Sequence, residues 1–265
     1  MDNRPIGMFD SGVGGLTVLK EVLENNINED IVYLGDTKRF PYGSKSKENI
    51  IELTKKGIDF LISKNVKAII IACGTATSQA LDEMRKIYKI PIIGIIEPTV
   101  NYIKEKEKIK NIGVIATAGT IRSDGWGKNI IDKIPSAIIQ NKACPLLAPM
   151  AEEGWTNNEI AKLTIKEYLK DLKNIDCLIL GCTHYPLFKD IIKEELSDNV
   201  EIINTGEMIS KDLNKILRIN EMQNEEERKG KYEIYLTDTE TNFVNVDKKL
   251  LNNNDIVDVV KKLDN

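Results

Sequence analysis

The chain has 265 residues, 42% hydrophobic and 29% charged, with a net charge of −4. That balance supplies a sizeable core and suits about two modest domains, and it excludes a global basic field for nucleic acid or anionic lipid. No apolar run reaches the roughly 18 residues of a membrane span, and the opening MDNRPIGMFD is too polar for a signal peptide, so a cytoplasmic protein without nucleic-acid or membrane partners is expected.

In chain order, apolar runs at 5–9, 30–34, 67–72, 90–96, 111–116, 136–140, 176–180 and 199–203 end in turns rich in Gly, Ser or Thr. Helical spacing follows most of them, as in Leu16, Leu19, Val22 and Leu23. Short β-branched runs alternating with helices predict an α/β fold with mainly parallel sheets. The eight strands read as one set of four used twice, equating positions 8 with 114, 33 with 139, 73 with 182 and 94 with 202. The third pair carries this best: FLISKNVKAIIIACGTAT matches YLKDLKNIDCLILGCTHYP in helix end, turn, apolar strand and cysteine. Beyond the repeat, 206–217 has helical spacing, 218–231 is a charged stretch, YEIYLTD (232–238) predicts a strand and FVNVDKKLL a helix. The expected organisation is two pseudo-symmetric α/β domains with the active site in the cleft between them. The first takes 1–97 plus 207–265 and the second 98–206, with KEKEKIKN near the linker.

A single histidine excludes zinc sites of the Cys₂His₂ or His₃ kind, and Cys73, Cys144, Cys177 and Cys182 include no C-x₂-C pair. Cys144 and Cys177 lie in or beside apolar runs and read as small buried hydrophobes. Cys73 and Cys182 instead stand just past the ends of equivalent strands, where ligands of open α/β sheets bind. Two thiols facing one cleft suit inversion at a carbon acid: one removes a proton and the other returns one to the opposite face. Only about 3% of an ordinary thiol is ionised at pH 7, and a helix start after each cysteine is expected to help lower its pKa. Asp10, His184, Glu152 and Glu153 fall at equivalent strand ends as acid–base candidates. DSGVGG matches neither phosphate-loop nor dinucleotide fingerprints. Its glycines read instead as allowing a small anion such as a carboxylate close to a helix N-terminus.

Together, GMFDSGVGGLTV, GDTKRFPYG, IIIACGTAT, GVIATAGTIRS, CPLLAPMAEEGW and LILGCTHYPL resemble the cofactor-independent glutamate racemases of bacterial cell-wall synthesis, over essentially residues 5–206. The resemblance implies interconversion of L- and D-glutamate without pyridoxal phosphate or metal, supplying D-glutamate for peptidoglycan. It implies that Cys73 and Cys182 are the acid–base pair, acting on D- and L-glutamate respectively, with Asp10, Glu152 and His184 assisting. Ser11, Pro41, Tyr42, Gly43, Thr75 and Thr183 are implied as substrate contacts, together with Asp10, Gly74, His184, Thr117 and Thr120. Many members of the family are homodimers. Two positions depart from its pattern. Gly74 stands where the family usually has Asn, leaving water or the Gly74 backbone N–H to replace the amide, or an altered substrate preference. Asn204 stands where Asp is common. The residues also leave open a related two-cysteine racemase acting on aspartate or another amino acid, and a non-catalytic or redox-responsive amino-acid binder.

Overall fold

The computed structural model describes residues 2–26, 28–226, 228–239 and 260–263. The expected strands form where β-branched runs can be covered on both faces, and glycine, serine or threonine ends them. The first part of the chain supplies β1 (Ile6–Asp10), α1 (Leu16–Asn25), β2 (Ile31–Gly35), α2 (Lys47–Ser63), β3 (Ala68–Ile71), α3 (Gly74–Ile87), β4 (Ile92–Gly94) and α4 (Ile96–Lys104). The second supplies β5 (Asn111–Ala116), α5 (Ala118–Ser123), α6 (Gly125–Lys133), β6 (Ile138–Ala143), α7 (Leu147–Glu152), α8 (Glu159–Leu169), β7 (Cys177–Leu180), α9 (Lys189–Glu195) and β8 (Glu201–Asn204). Then come α10 (Thr205–Ile219), β9 (Tyr232–Leu236) and β10 (Val260–Lys262).

Two parallel sheets result, ordered β10-β9-β2-β1-β3-β4 and β6-β5-β7-β8. The order β2-β1-β3-β4 is repeated by β6-β5-β7-β8, so the internal duplication is real at the level of topology. Its register needs correction in two places. With Met8 equated to Val114, the ladders equate Tyr33 with Asn141 and Ile93 with Ile203. Both differ from the expected pairs by two residues, a shift that leaves every side chain on its original face. The strand expected at 136–140 runs instead over Ile138–Ala143, because Pro135 and Ser136 form the preceding turn. As an edge strand, β6 tolerates the polar QNKA that the apolar pattern discounted. The strand read at the tail joins the first sheet beside β2; the helix read in FVNVDKKLL lies outside the described residues.

The largest apolar cluster sits between the sheets. Leu16, Leu19 and Val22 of α1, Val100 and Ile103 of α4, and Ile209, Leu213 and Leu217 of α10 pack there with Ile112 and Val114 of β5 and Ile179 of β7. Their spacing of three or four puts each set on one helix face. Each fully buried Leu or Ile stabilises the fold by about 1.5–3 kcal/mol relative to exposure. Asn204 caps α10, accepting from the Gly206 N–H at 3.0 Å while its amide donates to Glu21 Oε1 at 2.8 Å. An aspartate could accept the first bond but not donate the second. At the opposite end of the strands from the cysteines, buried Lys67 donates to the Asp2 carbonyl at 2.7 Å. Its Nζ also lies 2.5 Å from Glu29 Oε2, a charge contact that ties β3 to the loop after α1. No helix among the described residues is long and apolar enough to cross a membrane.

Candidate active site

The parallel strands of both sheets end toward one cleft, and the backbone there delivers the reactive groups. Asp10 is the last residue of β1. Cys73 follows β3 by two residues and Cys182 follows β7 by two, so the duplication places the thiols equivalently. Both are nearly buried and line one cavity of about 280 Å³. All four cysteines are free thiols; Cys144 and Cys177 are fully buried and stand outside that lining.

Each thiol has its own partners. The Cys73 Sγ–H donates to Ser11 Oγ at 3.3 Å. Cys182 Sγ lies 3.8 Å from His184 Nδ1, whose Nε2 lies 2.7 Å from Glu152 Oε1. The result is a sulfur–imidazole–carboxylate chain. Phe40 covers the imidazole, ring centroids 5.3 Å apart. The Cys182 loop is held across the cleft by Thr17 Oγ1, which donates to the Thr183 carbonyl at 2.8 Å. Thr183 Oγ1 in turn donates to Asp10 Oδ1 at 3.3 Å, and Gly12 N–H donates to Asp10 Oδ2 at 3.0 Å. Asp10 therefore stands beneath the site, engaged with Thr183 and Gly12.

Electrostatics differ from the sequence expectation. Cys73 does cap α3, as expected, yet burial pushes its pKa up to about 12, and the Asp10 charge adds to that. The helix amides do not overcome desolvation. Cys182 is followed not by an α-helix but by a 3-10 helix, Tyr185–Phe188, with Pro186 in its first turn. Burial works against protonation of His184, but hydrogen bonds to Cys182 and Glu152 and their charges outweigh it, raising its pKa to about 10. Burial likewise lifts Asp10 to about 6.

The glycines of DSGVGG lie against the protein's own side chains. A Cβ on Gly14 would lie 2.4 Å from His184 Nδ1 and 2.7 Å from Thr183 Oγ1, so only glycine lets α1 meet the Cys182 loop. Gly74 has an equally local cause. A Cβ there would lie 2.3 Å from the carbonyl oxygen of Gly181, the residue before Cys182. The place that a side chain's Cβ would take is thus filled by the opposite loop.

Of the residues implied as substrate contacts, Ser11, Pro41, Tyr42, Gly43, Gly74, Thr75, Thr117, Thr183 and His184 line the cavity with the two thiols. Tyr42 does so with its hydroxyl turned away, donating to Asp36 Oδ2 at 2.6 Å. Asp10, Glu152 and Thr120 do not line it. Asp10 and Glu152 stand behind Thr183 and His184, and Thr120 backs Thr117 and Thr75 with hydroxyl oxygens 2.9 and 3.2 Å apart. Sequence reasoning missed Phe40, Ser44, Ala118, Arg122, Pro145, Ala148 and Pro149 in the wall. The phenylalanine and prolines carry no chemical signature, but Arg122 sits within the quoted GVIATAGTIRS and its charge was legible there. Among the described residues no group of three or more His, Cys, Asp or Glu is placed to hold a metal ion.

Comparison with known proteins gives the chain's relatives. Residues 16–211 match the family described as Asp/Glu/Hydantoin racemase. The chain is 39% identical over 250 residues to a glutamate racemase of Geobacter metallireducens, covering 94% of this chain and 93% of that one. It is 47% identical over 238 residues to a glutamate racemase of a Sulfurihydrogenibium species, covering 88% of each. A crystal structure of the Francisella tularensis glutamate racemase in complex with D-glutamate superimposes with a TM-score of 0.91 at 38% identity, covering 100% of this chain and 98% of that one. A Picrophilus torridus aspartate racemase, 19% identical with a TM-score of 0.59, shares the fold. By its sequence, its duplicated sheets and these relatives, the chain belongs to the Asp/Glu/Hydantoin racemase family.

Proposed function

We propose that this protein is a glutamate racemase that uses Cys73 and Cys182 as a two-thiol acid–base pair, supplying D-glutamate for peptidoglycan in the cytoplasm. The observation that carries this reading is the convergence of two strand-end thiols, from equivalent positions of a duplicated fold, on one cavity. We assign 1–97 with 207–265 to one domain and 98–206 to the other, so each domain contributes one thiol. In the D-to-L direction the Cys73 thiolate takes the α-proton of D-glutamate. The resulting carbanion takes the proton held on Cys182 at its opposite face, leaving Cys182 as the thiolate. The reverse direction exchanges the roles, and proton and charge balance in each.

The perturbed groups suit that division of labour. Burial and Asp10 hold Cys73 protonated, and the ammonium group of a bound amino acid favours its ionisation by opposite charge. Beside Cys182, His184 is kept cationic by Glu152 and the sulfur itself, ready to stabilise a thiolate and to replace its proton. Ser11, Thr75, Thr117 and Thr183 supply hydroxyls, and Gly43 and Gly74 backbone groups, for the substrate's polar atoms. The test is chiral chromatography of purified protein with L- and D-glutamate and, separately, both enantiomers of aspartate. Racemisation of glutamate far faster than aspartate is expected. Preference for aspartate, or glutamate binding without turnover, refutes the reading.

A further inference from the structure

The cavity has an acidic understructure. Asp10 and Glu152 stand directly behind its wall, and the whole chain carries −4. A dicarboxylic amino acid has a net charge of −1, so its approach needs local positive charge. Among the described residues that line the cavity, Arg122 is the only lysine or arginine. It projects from α5, exposed to solvent, and its Nη2 donates at 3.4 Å to the carbonyl of Gly43, on the turn Tyr42–Ser44 that belongs to the other half of the wall.

Arg122 has a second setting that the catalytic reading does not use. It is also part of the wall of an adjoining groove of about 530 Å³, between α3 and the pair α5 and α6. That groove carries Lys45, Lys47 and Lys128, and opposes them with Asp82 and Glu83, the latter paired with Lys86 at 2.8 Å. Four cations against two acids make it locally positive on an acidic protein. Clefts lined by one sign of charge concentrate ligands of the other. Arg122 is the residue common to groove and cavity.

We infer that this groove is the entry route for the anionic substrate, and that Arg122 at its inner end captures the substrate's carboxylate and passes it into the cavity. This rests on the glutamate-racemase reading, and makes Arg122 a positioning residue that takes no part in proton transfer. Its hold on Gly43 is long and solvent-exposed, so exchanging that carbonyl for a carboxylate gives a stronger, charge-assisted hydrogen bond.

The test compares Arg122→Gln, Arg122→Lys and the triple variant Lys45→Gln/Lys47→Gln/Lys128→Gln with the wild type across ionic strength. Calorimetric binding of glutarate, a dicarboxylate without the reacting centre, is measured alongside turnover. Arg122→Gln is expected to raise KM and the glutarate Kd by about 3–10-fold at low salt with kcat nearly unchanged, whereas Arg122→Lys retains most of the affinity. The triple variant is expected to flatten the salt dependence of kcat/KM without touching the cavity. Unchanged KM and glutarate affinity in Arg122→Gln overturn the inference while leaving racemisation intact. A loss in kcat alone, or a salt dependence the same in all four proteins, overturns it too. Failure of the wild type to racemise glutamate refutes the underlying reading instead.

Discussion

Replacing Gly74 with the asparagine usual in the resembling family is the substitution on which sequence pattern and structure disagree most sharply. By pattern, Asn restores a missing substrate contact and improves the enzyme. By geometry, its Cβ arrives 2.3 Å from the Gly181 carbonyl oxygen, whereas real Cβ contacts essentially never fall below 3.0 Å. The carbonyl must therefore retreat by about 0.7 Å or more. Gly181 is itself closely surrounded: a Cβ added there would lie 2.8 Å from Trp126 Nε1, 3.0 Å from the Ile115 carbonyl oxygen and 3.1 Å from Ala116 Cβ. Overpacking of this kind costs about 1–3 kcal/mol, which for a chain of this size lowers Tm by roughly 2–10 °C. The displaced residue is the immediate neighbour of Cys182, and a misplacement of about 1 Å at a reacting group can reduce turnover about 100-fold. The assay is a thermal melt with steady-state racemisation of Gly74→Asn and Gly74→Ala. Both share the Cβ clash and both are expected to lose stability and kcat. A Gly74→Asn enzyme as stable as the wild type and faster would refute the packing argument.

Two other substitutions probe different parts of the account. In Glu152→Gln the imidazole loses the carboxylate that helps hold its pKa near 10, so the alkaline limb of the kcat/KM–pH profile is expected to move down by a unit or more toward the ordinary histidine value of about 6.5. The sign follows from linkage: protonation of His184 favours the fold fully below its unfolded pKa and ceases to do so as pH rises through about 10. Urea midpoints of wild type and variant should therefore differ at pH 7 and converge above 10. Lys67→Met leaves Glu29 buried without its cation and is expected to cost about 3–5 kcal/mol in urea unfolding. Lys67→Met/Glu29→Gln should recover part of that loss, and kcat should hold in both because Lys67 lies at the far end of β3 from Cys73.

Much of this arrangement is legible in the residues themselves. The apolar runs before Cys73 and Cys182 announce strands, and their likeness announces the duplication, because a strand buried on both faces must be continuously apolar. What pattern does not carry is register: a two-residue slip keeps the same faces inward, so Tyr33 aligns with Ile139 as readily as with its true equivalent Asn141. Nor does pattern reveal depth. Cys73 at a helix start suggests an acidified thiol, and only its burial and Asp10 beneath the site reverse the direction. The glycines of DSGVGG were legible as places of close approach but not what approaches, which at Gly14 is His184, and Gly74 was legible only as a departure from the family's Asn, not as a contact with Gly181, remote in sequence. Asp10 and Glu152 were found as acids near the site, while their places behind Thr183 and His184 depend on tertiary contacts.

The central claim is that two thiols each handle one face of the same carbon, and isotope exchange addresses it most directly. In D₂O the wild type should interconvert L- and D-glutamate with deuterium appearing at Cα of the product. Cys73→Ala and Cys182→Ala should each abolish racemisation, and each should exchange the α-proton of at most one enantiomer, a different one in the two variants. Full racemisation by either single variant, or exchange of both enantiomers by both, would contradict the account.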